Sequence, residues 1–88
     1  MKAFSLTVSS PDGSLFNGEV TFISARGVEG EFAIMAGHIP FITALVPCKI
    51  KIHQGGEEKL ATVDGGLLTV GDDGKVTMLT GSFKWEKQ

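Results

Sequence analysis

The chain has 88 residues, of which 42% are hydrophobic and 20% charged, with a formal charge of −2. That length accommodates one hydrophobic core, and the balance is that of a folding domain, not of a disordered segment. The eight lysines and arginines are scattered apart from a small cluster at 84–87, so no broad cationic surface is available to neutralise phosphates, and nucleic acid is not an expected partner.

A single cysteine, Cys48, allows no internal disulfide, and the N-terminus lacks the basic, apolar and small-residue order of a secretory leader. A reducing, cytosolic setting is expected. The longest apolar stretch, residues 39–48, is interrupted by Pro40, Thr43 and Pro47 and falls far short of the ~20 residues that span a bilayer. Membrane contact is expected only through a partner.

Residues 4–9 alternate apolar and polar, the period of a strand with one face on a core, and stop at Ser10-Pro11-Asp12-Gly13-Ser14, a turn sequence. Comparable short runs follow at 15–16, 19–25, 31–35, 41–45, 49–53, 58–63, 67–70 and 75–80, each set off by Gly, Pro, Asn or Asp. Lys49-Ile50-Lys51-Ile52-His53 alternates most clearly and reads as a half-exposed antiparallel strand. Gln54-Gly55-Gly56-Glu57 and Asp72-Asp73-Gly74 suit hairpin connections. No window carries the i, i+3, i+4, i+7 pattern of an amphipathic helix, and twelve glycines disfavour one. The expected fold is all-β, a sandwich of about 8–10 short antiparallel strands in one domain. Its inward set is predicted to be Phe4, Leu6, Val8, Phe16, Val20, Phe22, Phe32, Ile34, Ile50, Ile52, Leu60, Val63, Leu68, Val70, Val76 and Met78.

Catalytic chemistry finds little support. There is no phosphate-binding Gly-x-x-x-x-Gly-Lys-Ser/Thr loop. His38 and His53 are fifteen residues apart with no Cys or carboxylate at metal-ligand spacing. Cys48 follows Pro47 with no basic helix start to activate it, and reads as a small packed residue. Glu29 and Glu31 flank Gly30 in what reads as a solvated loop, a surface charge pair and not an acid–base couple. Trp85, in the charged segment Lys84-Trp85-Glu86-Lys87, either packs on the sandwich edge or docks a partner. Between Arg26 and Pro47, two glycine-containing loops flank one strand pattern; periodicity does not decide whether those loops meet.

That segment, Gly27-Val28-Glu29-Gly30-Glu31-Phe32, then Gly37-His38-Ile39-Pro40 and Thr43-Ala44-Leu45-Val46-Pro47, resembles the signature stretch of F-type ATP synthase epsilon subunits. The resemblance continues upstream through Val8-Ser9-Ser10-Pro11-Asp12-Gly13 and Leu15-Phe16-Asn17-Gly18-Glu19-Val20. Downstream it takes in Asp64-Gly65-Gly66-Leu67-Leu68-Thr69-Val70 and Lys75-Val76-Thr77. It covers residues 3–82 and departs at Ala36, where many relatives have Pro before the glycine, and at Cys48, where many have Gly.

The resemblance implies a flattened two-sheet antiparallel β-sandwich on the central stalk, contacting the gamma subunit and the polar loops of the membrane c-ring. It implies ring contact by Glu29, Gly30, Glu31, Gly37 and His38, and assigns no gamma-facing residue. It further implies a non-catalytic rotor subunit without cofactor, peripheral on the cytoplasmic face of a bacterial plasma (inner) membrane or, alternatively, on the stromal face of a chloroplast thylakoid. Family members commonly continue into two C-terminal helices that brake hydrolysis; this chain stops at Gln88, so that device is expected to be absent, and a naturally short subunit and a shortened chain both fit. Two rival readings are a binding module with an aromatic platform, disfavoured by phenylalanines placed inward, and an enzyme, disfavoured by the lack of a nucleophile–base pairing.

Overall fold

The computed structural model describes residues 2–86, so Lys87 of the lysine cluster lies outside the described residues. The alternating runs become ten strands: β1 (Phe4–Ser10), β2 (Gly13–Val20), β3 (Phe22–Gly27), β4 (Gly30–Ile34), β5 (Phe41–Leu45), β6 (Cys48–Gln54), β7 (Glu57–Val63), β8 (Gly66–Val70), β9 (Val76–Leu79) and β10 (Phe83–Trp85). Hydrogen bonding follows the order β10-β7-β6-β3-β5-β8-β9-β1-β2, with β4 on the other edge of β3. The path divides naturally at β3, which pairs with β6 over Phe22–Ser24 but with β5 only where Gly27 faces Leu45. On either side lie two five-stranded layers, β4-β3-β6-β7-β10 and β5-β8-β9-β1-β2. They curl toward each other, so the domain is about as deep as it is wide, 28 × 27 × 26 Å.

Between the layers sit Ile23, Ile34, Ile50, Ile52 and Val63 from the first and Leu6, Val8, Val20, Leu68, Val76 and Met78 from the second, all essentially inaccessible to water. Burying each such side chain stabilises the fold by roughly 1.5–3 kcal/mol. The Lys49 to His53 alternation holds, with Ile50 and Ile52 inward. Gln54 pairs with Glu57 across a two-residue Gly55-Gly56 turn, and Val70 pairs with Val76 across the Asp72-Asp73-Gly74 turn. Asp64 staples the end of β7 to the start of β10: its carboxylate accepts the Ser82 N–H at 3.1 Å, while the buried Thr80 hydroxyl donates to the Gly65 carbonyl at 2.6 Å.

One ladder is parallel. β1 and β9 run the same way over Leu6–Ser9 and Val76–Leu79, where the sequence reading expects antiparallel neighbours throughout. Parallel neighbours need a long crossover, and here everything from β2 to β8 serves as it.

Four inward assignments change. Residues 19–25 are not one strand: the chain turns a corner at Thr21, whose N–H and hydroxyl both donate to the His53 carbonyl at 2.8 and 3.3 Å. The corner resets the parity, so Ile23 and Ala25 enter the core while Phe22 faces out and stacks on His53 at 4.6 Å. In β7 the period of two from Val63 selects Ala61, not Leu60, and Leu60 is half-buried. Phe16 and Phe32 pack against the core without entering it.

The free ends of the path, β2 and β10, approach one another and are closed by side chains. Trp85 packs edge-on against Phe16 and Phe83 at 5.6 and 5.0 Å between ring centroids, and Gln54 donates to the Glu19 carbonyl at 3.0 Å. Trp85 thus packs on the sandwich edge.

Ile23→Ala should cost about 2–5 kcal/mol and Phe22→Ala distinctly less. Urea unfolding checks this through the ordering of the two midpoints at unchanged slope.

Candidate partner-binding surface

The β3–β4 hairpin follows directly from its register. Gly27 faces Gly30, Arg26 faces Glu31 and Ala25 faces Phe32, leaving Val28 and Glu29 as the turn. β4 pairs with β3 alone among the described residues, so its other edge is bare. Glu29 and Gly30 lie at one end of this edge strand, and Gly37 and His38 follow its other end. A five-residue strand spans about 13 Å, so the structure does not gather the candidate residues into one cluster but strings them along one edge.

Each position has a local cause. His38 N–H donates to the Met35 carbonyl at 3.2 Å, closing a turn in which Gly37 adopts φ 87°. Those features are those of a type II turn, whose third position requires positive φ and whose second favours proline. The His38 ring meets the Ile39 carbonyl through Nδ1 at 2.7 Å and the Phe41 ring at 5.7 Å. A carbonyl only accepts, so Nδ1 donates and Nε2 of the neutral ring is left as an acceptor. Arg26 Nη2 donates to Glu31 Oε1 at 3.2 Å.

Exposed apolar side chains, which the sequence reading did not single out, accompany this edge. Val28, Ile39 and Ile42 are 66%, 74% and 64% exposed, and Met35 is also exposed. Val28 and Ile39 stand beyond opposite ends of β4, and Ile42 lies on β5 in the other layer, so each is a separate exposed side chain and not part of one patch.

The two outer faces differ in charge. On the β4-β3-β6-β7-β10 layer, three ion pairs stand in the open: Arg26 with Glu31 at 3.2 Å, Lys49 with Glu86 at 3.1 Å and Lys51 with Glu58 at 3.8 Å. The register places two rows across the other layer, Ala44-Leu67-Leu79-Ser9 and Ile42-Thr69-Thr77-Thr7-Asn17. Those nine positions hold no charge, and Ile42, Leu67 and Leu79 among them are exposed. The faces therefore differ in chemistry, the first carrying paired charges and the second two uncharged rows.

Among the described residues, no three His, Cys, Asp or Glu side chains gather as a metal site. Cys48 is half-buried, with its thiol 3.8 Å from the Arg26 carbonyl.

This architecture has known relatives. Residues 3–86 match the family model of the ATP synthase delta/epsilon chain, β-sandwich domain. The ATP synthase epsilon chain of Ruminococcus albus is 31% identical over 88 residues, all of this chain and 66% of the relative. That of Caulobacter vibrioides is 35% identical over 74 residues, covering 84% of this chain and 86% of the relative. A chain solved in the Euglena gracilis mitochondrial ATP synthase, in its OSCP/F1/c-ring part, superposes with a TM-score of 0.86 at 27% identity, covering 94% of this chain and 53% of that one. This chain thus spans just under two-thirds of the Ruminococcus relative and about half of the Euglena one. Fold and matches together define the β-sandwich domain common to delta and epsilon chains. The chain belongs to the ATP synthase delta/epsilon family, and its sequence relatives are epsilon chains.

Ala36→Pro should leave the turn intact and stabilise the domain by about 0.4–1 kcal/mol, whereas Gly37→Ala should destabilise it by more than that. Thermal melts of the two variants, shifted in opposite directions, check the turn assignment.

Proposed function

We propose that this chain is a non-catalytic central-stalk subunit of an F-type ATP synthase, joining the gamma subunit to the membrane c-ring. The observation that carries the reading is the placement of Glu29, Glu31 and His38, with Val28 and Ile39, along one bare edge, on the segment whose residue order matches the epsilon pattern. Glu29, Gly30, Glu31, Gly37 and His38 form the ring-facing side. Gly30 and Gly37 shape it through the backbone, while the two carboxylates and the imidazole offer hydrogen-bonding groups that set register more than affinity.

The uncharged rows around Ile42, Leu67 and Leu79 face gamma, where a dry surface loses little on desolvation. The face bearing Lys49, Lys51 and Glu58 stays in water. Mechanically the domain is a wedge: ion flow turns the ring, and the sandwich passes torque to gamma because its close-packed core resists deformation. It binds no cofactor, and bond-making occurs in other subunits. On this reading it lies at the cytoplasmic face of a bacterial plasma membrane, with the stromal face of a thylakoid as the alternative, in contact with the membrane only through the complex.

Two variants separate the surfaces. Glu31→Lys combined with His38→Ala should fold normally yet lower the coupling of ATP hydrolysis to ion pumping, read as proton or sodium uptake per ATP in reconstituted vesicles. Leu79→Lys should weaken recovery of gamma in a pull-down by about tenfold or more, since it buries an unpaired charge in the contact. Unchanged coupling would remove the ring assignment, and unchanged gamma recovery would remove the face assignment.

A further inference from the structure

The ring-facing hairpin carries a cation that the acidic reading of its loop leaves out. Arg26 stands directly opposite Glu31 in the β3–β4 ladder, and its guanidinium holds the Glu31 carboxylate at 3.2 Å. Both side chains nonetheless remain open to water, 59% and 68% exposed. Glu29, in the turn between them, forms no ion pair among the described residues. The two carboxylates are therefore unlike: Glu31 has a cation opposite it, and Glu29 has no ion-pair partner among the described residues. Lys49, which borders the same shallow cleft of about 350 Å³, is engaged by Glu86 at 3.1 Å and does not compete for Glu31.

An ion pair this exposed adds little to folding, because water already solvates both charges. A guanidinium also has five N–H donors in a planar fork, more than one carboxylate contact uses. We propose that Arg26 is itself a contact residue of this edge: it positions Glu31 and presents its remaining donors to an acceptor, a carboxylate or backbone carbonyl, on the facing polar loop of the c-ring. This rests on the reading that the edge faces the ring, and it changes the partner that fits. The edge offers a bare acceptor at Glu29, a donor–acceptor couple at Arg26 and Glu31, and a ring nitrogen at His38. Its complement carries both signs in register, not a uniformly basic surface. Val28 and Ile39 flank these groups and exclude water when covered, and the lower local dielectric strengthens each charged contact.

The test uses the full 88-residue chain, added back to ATP synthase membranes from which the epsilon subunit has been stripped, with rebinding titrated at low and high salt. Arg26→Ala should weaken rebinding about tenfold at low salt, with an unchanged melting temperature. Arg26→Lys should recover only part of the loss, because an ammonium keeps the charge without the planar fork. Exchanging the pair, Arg26→Glu with Glu31→Arg, keeps a cross-strand ion pair but inverts its order, and rebinding should stay weak. Parental rebinding by Arg26→Ala while Glu29→Lys binds poorly would overturn the role of Arg26 and leave the ring-facing edge standing. Parental rebinding by both would overturn the edge as well. Full recovery by the exchanged pair would reduce Arg26 to a brace of the hairpin and also overturn the proposal.

Discussion

The close approach of β3 to β5 at Gly27 is the contact on which the two-layer arrangement depends. β3 leaves β6 after Ser24 and meets β5 only at Gly27 and Leu45, where the Val28 N–H donates to the Ala44 carbonyl at 3.0 Å and the Val46 N–H to the Arg26 carbonyl at 3.1 Å. A Cβ at Gly27 would stand 2.7 Å from the Thr43 hydroxyl and 3.0 Å from the Ala44 carbonyl. A side chain there would push the layers apart where β3 pairs with β5. Beyond Ser24 the β3–β4 hairpin passes from β6 to β5, which holds it through the Arg26 carbonyl and the Val28 N–H, while the Val28 and Glu29 side chains at the turn stay exposed. The same junction that joins the layers exposes the proposed contact edge.

From that junction the distribution of charge follows the strand parity. Inward positions fill one core, and outward positions fall on two faces that the sequence treats differently. β6 and β7 place Lys49, Lys51 and Glu58 outward, each with an oppositely charged neighbour, whereas β1, β5, β8 and β9 place small, hydroxylated or aliphatic side chains outward. Glu19 on β2 is an exposed charge in that same layer, so the uncharged area is the rows that run from Ile42 and Ala44, which the proposed function turns toward gamma. On the proposed function the dry face serves one partner and the polar, patterned edge the other. The seam between β2 and β10 is closed by the edge-on contact of Phe16 with Trp85.

The strands were legible where alternation ran uninterrupted, as in β1 and β6, and the hairpins where Gly55-Gly56 or Asp73-Gly74 marked them. Legibility failed where local chemistry was silent. Thr21 turns a corner through hydrogen bonds to a carbonyl thirty-two residues away, with no glycine or proline to announce it. β10 has three residues, too few to show a period, and lies in a charged segment. Leu60 outweighs Ala61 in hydrophobicity, but parity counted from Val63 favours the smaller residue. The candidate edge came from residue order shared with a family, because neither loop carries a spacing that physics alone would select. The Arg26 to Glu31 pairing was within reach, since a two-residue turn at 28–29 sets those residues opposite each other by counting. Which ends of β4 the two loops occupy needed the topology.

If one face and one edge are covered while the other face stays wet, amide hydrogen exchange of the chain, free and within the assembled ATP synthase, will show it. Assembly should add protection over β4, the 35–40 loop, β5, β8 and β9, and leave exchange unchanged at the outward-facing β6–β7 turn. Protection of the β6–β7 turn with β4 and β8 unaltered would contradict it.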